Sequence, residues 1–84
     1  DGLRTNLGLI NFPIIQKNVK EILLVSETEI MNSLKIILNQ LKLVVEPSSA
    51  VVLAALIKNK EKFKSKKIGL IMCGGNIDFN SLQF

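Results

Sequence analysis

Hydrophobic side chains repeat at helical spacing in the middle of the chain. They occupy positions i, i+4, i+7, i+8 and i+11 of one segment: Ile30, Leu34, Ile37, Leu38 and Leu41. Ser26 and Glu29 precede this repeat at the spacing of a capping box, in which each side chain accepts a hydrogen bond from the other residue's backbone N–H. The pattern predicts an amphipathic helix over residues 27–41. Met31 and Ile36 lie off the apolar face, so we expect them to contact other parts of the protein.

Two further helices are predicted, one on each side of this helix. Residues 12–19 are rich in aliphatic side chains and carry a proline near their start, which the first turn of a helix tolerates. Glu46-Pro47 marks a break, because the residue before a proline disfavours helix. Ser48 or Ser49 can then cap a helix over residues 49–60. That helix is apolar nearly all round before its lysines, which is typical of a buried helix. A chain of 84 residues can hardly bury it on every side, so we expect a partner layer that this chain lacks.

Short apolar runs predict two strands. Residues 21–25 form one run, and Ile68–Met72 forms a second that is bounded by glycines and predicts a buried strand of a parallel sheet. Helices and strands in this order predict an α/β fold with too few strands for an independent sheet. In open α/β sheets, ligands bind beyond the carboxyl ends of the strands. The candidate site therefore follows Met72 and comprises Cys73, Gly74, Gly75 and Asn76.

Composition excludes several classes of function. The chain of 84 residues has one cysteine and no histidine, which removes an internal disulfide, a Ser-His-Asp triad and a conventional zinc site. We therefore predict no metal site within the chain. It contains no signal peptide pattern and no apolar run near the roughly 18–20 residues that cross a bilayer. We expect a cytoplasmic protein without membrane contact and, since the first residue is Asp1, a carboxyl-terminal piece of a longer polypeptide.

The net charge of +4 is concentrated in a short lysine-rich run. The run comprises Lys58, Lys60, Lys62, Lys64, Lys66 and Lys67. It could bind nucleic acid or phosphate, or it could be a solvated helix end whose charges favour the helix dipole. Phe63 is its only aromatic residue, so it offers no stacking platform for single strands. The sequence favours a solvated helix end and no nucleic-acid partner.

Single residues at the candidate site leave alternatives open. Gly74-Gly75 is either a tight turn or a point where the backbone approaches a ligand closely. Cys73 by itself is more often a small buried hydrophobe than a functional thiol. Glu46 is either a surface acid before a helix or a partly buried carboxylate near a site.

Five segments taken together carry more information than any single residue. In chain order they are Asp1-Gly2-Leu3, Phe12-Pro13-Ile14-Ile15, Val25-Ser26-Glu27, Lys42 to Ser48 (KLVVEPS) and Cys73 to Asp78 (CGGNID). This order resembles the carboxyl-terminal third of the serine racemase and threonine/serine dehydratase family. These enzymes depend on pyridoxal 5′-phosphate and have the fold type II, tryptophan-synthase-β-like architecture of sheet and helix layers. The resemblance implies that residues 1–84 are a carboxyl-terminal fragment of the catalytic domain, without a regulatory domain.

The resemblance also implies roles for individual residues. The position of Cys73 faces the pyridine nitrogen of the cofactor in the family and is Ser or Cys, both uncharged, so the ring is a weaker electron sink than it is beside a carboxylate. Gly74 and Glu46 match positions next to the cofactor. Lys42 and Asn76 match positions that bind ATP in the animal racemases, although ATP binding does not hold across the family. Any divalent cation or ATP would be bound partly by residues outside this chain.

Departures from the family pattern bear on activity. The residue after Glu-Pro-Ser is usually Gly, and here it is Ser49. Cys73 in place of Ser favours a dehydratase slightly over a racemase. The family's Schiff-base lysine belongs to a Ser-x-Lys segment that is absent from these 84 residues, so the chain alone contains no catalytic residue and is expected to be inactive.

The resemblance predicts an ammonia-lyase acting on L-threonine or L-serine, or a serine racemase, with an amino-acid substrate and a homodimeric full-length enzyme. The alternative is a non-catalytic remnant or ligand-binding module that lacks the lysine. A basic nucleic-acid binder ranks last, since only the lysine-rich run supports it.

Overall fold

Three α-helices dominate the part of the chain that the computed structural model describes, which is residues 6–75 and residue 80. Helix α1 spans Asn11–Asn18, α2 spans Glu27–Ile36 and α3 spans Pro47–Lys58. A π-helical turn, Ile37–Leu41, continues α2 directly. Each helix lies where the sequence predicts one, and the bounds differ from the predicted bounds by two residues or fewer when the π turn is counted with α2.

Helix α2 begins with the predicted capping box. The backbone N–H of Ser26 donates to Glu29 Oε1 at 2.7 Å, and the backbone N–H of Glu29 donates to Ser26 Oγ at 3.1 Å. These bonds satisfy two N–H groups at the start of the helix. At the other end, Lys42 adopts a left-handed conformation (φ 57°, ψ 34°) that ends the π turn.

Helix α3 begins earlier than predicted. Its N-cap residue is Glu46, and Pro47 is the first helical residue, a position where its missing N–H and fixed φ suit a helix. Ser48 and Ser49 therefore lie inside the first turn, and the prediction that one of them caps the helix is wrong. The backbone N–H of Ser49 donates instead to the Glu46 carbonyl at 2.9 Å.

The core lies where α2 packs against α3. Its buried apolar residues are Leu34, Ile37, Val45, Ala50 and Ala54. Two polar residues, Ser33 and Ser49, are also buried. Ile30, Met31, Leu53 and Met72 pack around this cluster and are partly buried. Met31 thus packs on the core although it lies off the predicted apolar face, whereas Ile36, predicted to make contacts with other parts of the protein, is exposed. Met72 attaches the segment before Cys73 to the helical core.

The two predicted strands are absent from the described residues. Residues 21–25 and 68–72 run without strand pairing, and Ile68 and Ile71 are exposed, Ile71 by 81%. The prediction of a buried strand at Ile68–Met72 is therefore wrong for this chain. A strand is defined by hydrogen bonds to a neighbouring strand, and no described segment pairs with either run in that way.

Much apolar surface remains uncovered. Helix α1 has no buried residue, and several large side chains on α1 and on the extended segments are more than 40% exposed: Leu7, Leu9, Ile10, Phe12, Ile14, Ile22, Leu24, Leu43, Val44 and Ile68. Within α3, only Ser49, Ala50 and Ala54 are buried, and Ile57 is exposed. The described residues therefore leave open much of the surface that a partner layer was expected to cover.

The lysine-rich run lies mostly at the surface, and two of its lysines bind within the chain. Lys58 Nζ donates to the Leu24 carbonyl at 3.0 Å and lies 3.5 Å from Glu29 Oε1. Lys62 pairs with the carboxylate of Glu21. These contacts connect the end of α3 to the extended segment before α2. The preferred interpretation of the run as a solvated helix end agrees with these positions.

Candidate functional site

Two segments that carry predicted site residues, the one before α3 and the glycine turn, meet in the structure. The backbone N–H of Glu46 donates to the Gly74 carbonyl at 3.0 Å, although the two residues are 28 positions apart in the sequence. The extended conformation of Glu46 (φ −72°, ψ 155°) turns the chain into α3 at this point. Two of the residues implied by the family resemblance are therefore direct neighbours.

Gly74 occupies a place that only glycine fits. Its φ is +86°, a region that other L residues rarely adopt. A Cβ at this position would overlap Glu46 Oε1 and would lie 2.7 Å from Glu46 Cδ. Gly74 is thus required both by its own backbone conformation and by the carboxylate beside it.

Gly75 extends the contact between the two segments. A Cβ on Gly75 would lie 3.3 Å from the Val44 carbonyl oxygen. The backbone of Val44 therefore borders the glycine turn, which sequence reasoning did not foresee. The signal that could have indicated it is the Glu46-Pro47 pair, because proline at the first helical position leaves the preceding residues extended.

Cys73 and Glu46 differ in their exposure. The Cys73 thiol is free and exposed, so the interpretation of this residue as a small buried hydrophobe is wrong. Glu46 is partly buried, which agrees with a partly buried carboxylate and not with a surface acid. An accessible thiol, a glycine turn and a carboxylate thus share one edge of the molecule.

The two residues matched to nucleotide binding are placed differently. Lys42 is exposed and lies at the end of the π turn, four residues before Glu46. A left-handed non-glycine residue after a π-helical turn is a combination found often at functional sites. Asn76 lies outside the described residues, as do Asp1 and Gly2.

One carboxylate of the described residues, away from the glycine turn, has a perturbed pKa. The hydrogen bond from the Ser26 backbone lowers the pKa of Glu29 below its ordinary value, and the Ser26 hydroxyl and Lys58 act in the same direction. Glu29 belongs to the start of α2 and not to the glycine turn. Its ionisation therefore concerns the stability of the helix and not the candidate chemistry.

The described residues contain neither a candidate metal cluster nor a candidate membrane-spanning helix. No three side chains among the His, Cys, Asp and Glu residues of this part are grouped so that they could bind a metal ion. In the same part of the chain, no helix has both the length and the apolar character to cross a membrane.

Comparison with known proteins identifies the family. Residues 1–74 match the family described as pyridoxal-phosphate dependent enzyme, and the chain belongs to that family. Within it, the chain is 44% identical over 85 residues to serine racemase of Dictyostelium discoideum, covering 99% of this chain and 26% of that protein. It is 42% identical over 84 residues to beta-hydroxyaspartate dehydratase of Paracoccus denitrificans, covering the whole chain and 27% of that protein.

A solved structure gives the same result for the fold. The crystal structure of the Dictyostelium discoideum serine racemase superposes on this chain with a TM-score of 0.85 at 43% identity, covering 94% of this chain and 27% of the other. The chain therefore adopts part of pyridoxal-phosphate fold type II, as the resemblance implied. It spans about a quarter of the length of these relatives. The α/β class belongs to that larger architecture, whereas the described residues alone contain three helices and a π turn.

Proposed function

We propose that this chain supplies one edge of the cofactor site in a pyridoxal-phosphate enzyme that acts on a small β-hydroxy amino acid. The observation that supports this most directly is the meeting of Glu46 with Gly74 beside the exposed Cys73, in a chain 42–44% identical to a serine racemase and a hydroxyaspartate dehydratase. The activity is either ammonia-lyase or racemase chemistry. The substrates are L-serine, L-threonine or a 3-hydroxyaspartate.

The residues at the glycine turn fit the edge of a flat aromatic cofactor. Because Gly74 and Gly75 have no side chains, the Glu46 carboxylate and the Val44 carbonyl pack directly against the turn, which brings the two segments of this edge together. The Cys73 thiol is accessible and is a weak hydrogen-bonding group without a fixed charge. The cofactor, when bound, withdraws electrons from the α-carbon of an amino acid.

Cys73, Gly74 and Glu46 would each have a separate role at the cofactor. Cys73 would contact the ring nitrogen through its thiol and, unlike a carboxylate, would not hold a proton there by charge. Gly74 would leave room for the Glu46 carboxylate at that edge. Glu46 would border the same edge with its carboxylate. The lysine that binds the cofactor covalently in the family is not supplied by these residues, so this chain contributes binding and orientation and no covalent step.

Nucleotide binding is proposed for Lys42 together with Asn76. The supporting observation is the exposed, left-handed Lys42 at the end of the π turn, which places an ammonium group at the surface four residues before Glu46. A Lys ammonium is a common phosphate ligand. A divalent cation, a homodimeric assembly and a cytoplasmic location belong to the same proposal for the whole enzyme.

The proposal is tested on the natural polypeptide that contains these residues. It is purified with pyridoxal 5′-phosphate, its visible absorbance is recorded, and ammonia, 2-oxo acid and D-serine are measured with L-serine, L-threonine and threo-3-hydroxyaspartate. Bound cofactor with turnover of one of these substrates is expected. A polypeptide that binds the cofactor or an amino acid without turnover would establish the alternative, a ligand-binding module. A polypeptide that binds neither would overturn the proposal.

A further inference from the structure

Glu46 contacts Gly74 in two independent ways. Its backbone N–H donates to the Gly74 carbonyl at 3.0 Å. Its carboxylate also fills the space beside the Gly74 Cα, where a Cβ would lie 2.7 Å from Cδ and 3.2 Å from Cγ of the glutamate. Glu46 thus contacts both the carbonyl of Gly74 and the side of its Cα that carries no Cβ.

The side chain of Glu46 does not serve the helix that it precedes. Glu46 is the N-cap residue of α3, a position at which an acidic side chain commonly bonds the first N–H groups. Its carboxylate forms no such bond and lies against Gly74 instead. The orientation of this side chain is therefore better explained by the glycine turn than by helix capping.

Cys73 depends on the conformation of this turn. It precedes Gly74 directly. Gly74 has a φ of +86°, and the carboxylate of Glu46 lies beside its Cα. A change of backbone conformation at Gly74 would redirect the residue before it. The thiol itself is exposed, so the neighbouring backbone has a large share in fixing its direction.

We infer that Glu46 is a positioning residue for Cys73, acting through Gly74 by its shape and not by its charge. The inference rests on the proposed function only in one respect, which is that Cys73 would contact the ring nitrogen of the cofactor. The mechanical claim is separate: the glutamate side chain keeps the glycine turn in one conformation, and this conformation directs the thiol.

Thiol reactivity tests the inference without cofactor or turnover. Cys73 is the only cysteine of these 84 residues, so in the natural polypeptide the part of the reaction with the disulfide reagent DTNB that Cys73→Ser removes reports on it. We expect Glu46→Ala to change the rate of this reaction about 2- to 100-fold, the range of coupling between neighbouring side chains. Glu46→Gln has nearly the same shape without the charge and should keep the original rate and its pH profile. In denaturant, all variants should react alike.

Comparison of Glu46→Ala with Glu46→Gln shows whether the shape or the charge of the side chain controls the thiol. A Glu46→Gln variant that reacts like Glu46→Ala would overturn the inference, because charge and not shape would then control the thiol. An unchanged rate in Glu46→Ala would overturn it as well. Glu61→Ala removes the same charge from the lysine-rich run and serves as the matched control, with no change expected.

A double-mutant cycle covers the case in which Glu46→Ala unfolds part of the chain. Gly74→Ala places a methyl group against the carboxylate, whereas the double variant Glu46→Ala/Gly74→Ala gives that group room. The ratio of folded to unfolded chain in the double variant should exceed the additive expectation by at least about 2-fold. Additive effects would overturn the contact. Gly69→Ala is the control, since a Cβ there meets no atom within 4 Å.

The outcome is independent of the enzymatic assignment. Coupling between positions 46 and 74 in a polypeptide that lacks turnover would overturn the proposed function and leave the positioning role intact. Turnover with additive effects at these positions would do the reverse.

Discussion

Of the three described residues with a positive φ, Gly74 and Lys42 belong to the candidate site, whereas Ser65 lies in the lysine-rich run. Gly74 has a φ of +86° and Lys42 a φ of 57°. A positive φ causes no steric strain at Gly74, because glycine has no Cβ. The same conformation at Lys42 costs free energy, because the lysine Cβ crowds the backbone. Strain at a non-glycine residue is retained where the side chain has a use, and the proposed contact of Lys42 with a nucleotide would be such a use.

The conformation of Lys42 leads to a prediction on stability. Lys42→Gly should raise the free energy of unfolding by roughly 0.5–1 kcal/mol, because the left-handed conformation no longer opposes a Cβ, although glycine gains entropy in the unfolded chain. Urea unfolding measures the change. Lys42→Ala is the control, since it removes the charge and keeps the Cβ. A Lys42→Gly variant no more stable than Lys42→Ala would contradict the assignment of strain.

The carboxylate of Glu29 leads to a prediction on pH dependence. Its hydrogen bond from the Ser26 backbone lowers its pKa in the folded chain, so the unfolded chain binds this proton at a higher pH than the folded chain. The contribution of Glu29 to stability is therefore complete above the ordinary pKa of a glutamate and is lost as the pH falls through the lower folded value. Thermal unfolding across the acid range should show this loss.

Glu29→Gln provides the comparison for the pH experiment. A glutamine can still accept the hydrogen bond from Ser26 but does not titrate, so its stability should lack the part of the acid dependence that Glu29 causes. Identical acid dependence in both chains would show that other carboxylates account for the whole loss.

Periodicity and capping residues predict where helices lie, and the observed starts of α2 and α3 test the predicted capping residues. The capping box at Ser26 forms as predicted, whereas the serines after Pro47 do not cap α3. The difference arises because proline itself occupies the first helical position, which assigns the N-cap to Glu46 and leaves Ser49 buried inside the first turn.

Two serine substitutions distinguish these helix starts. Ser26→Ala should lower the free energy of unfolding by about 1 kcal/mol, since it removes the side-chain acceptor for the Glu29 N–H. Ser48→Ala should change it by less than about 0.5 kcal/mol, because the side chain at that position is not a cap. Chemical denaturation of both variants provides the values. Equal losses would indicate that Ser48 also holds a helix end.

Across the whole chain, polar contacts connect the end of α3 and the turns that follow it to α2 and to the segment before α2. Lys62 pairs with Glu21, and Lys58 reaches the Leu24 carbonyl and Glu29. All these lysine and glutamate side chains are partly exposed, so solvent screens the pairs and each contributes little. The lysine-rich run thus has a role in the chain's own architecture.

The ion pair between Lys62 and Glu21 should be weak and sensitive to salt. Lys62→Ala should lower the free energy of unfolding by about 0.2–1 kcal/mol in dilute buffer and by less at 1 M salt. A double-mutant cycle with Glu21→Ala isolates the pair. Lys60→Ala removes an equal charge from the same run and should show no coupling with Glu21→Ala. A coupling at position 62 that persists in high salt would contradict a screened surface pair.

The sequence predicts a position for the candidate site but does not predict the contacts found there. The glycine pair after an apolar run indicated a ligand edge near Cys73, and the order of five segments indicated the family. No local pattern indicates that Glu46 contacts Gly74 with both its backbone and its side chain, since the two residues are 28 positions apart in the chain. The nucleotide-binding and cofactor roles of these residues stay predictions.

The three helices, the capping box and the family could all be predicted from the order of the residues. Helices form hydrogen bonds within one segment, so periodicity and capping residues are enough to predict them. The unpaired course of residues 21–25 and 68–72, the exposure of Cys73 and the contact of Glu46 with Gly74 became apparent in the folded chain. Strand pairing, exposure and long-range contacts depend on groups distant in the chain, which no local pattern of residues records.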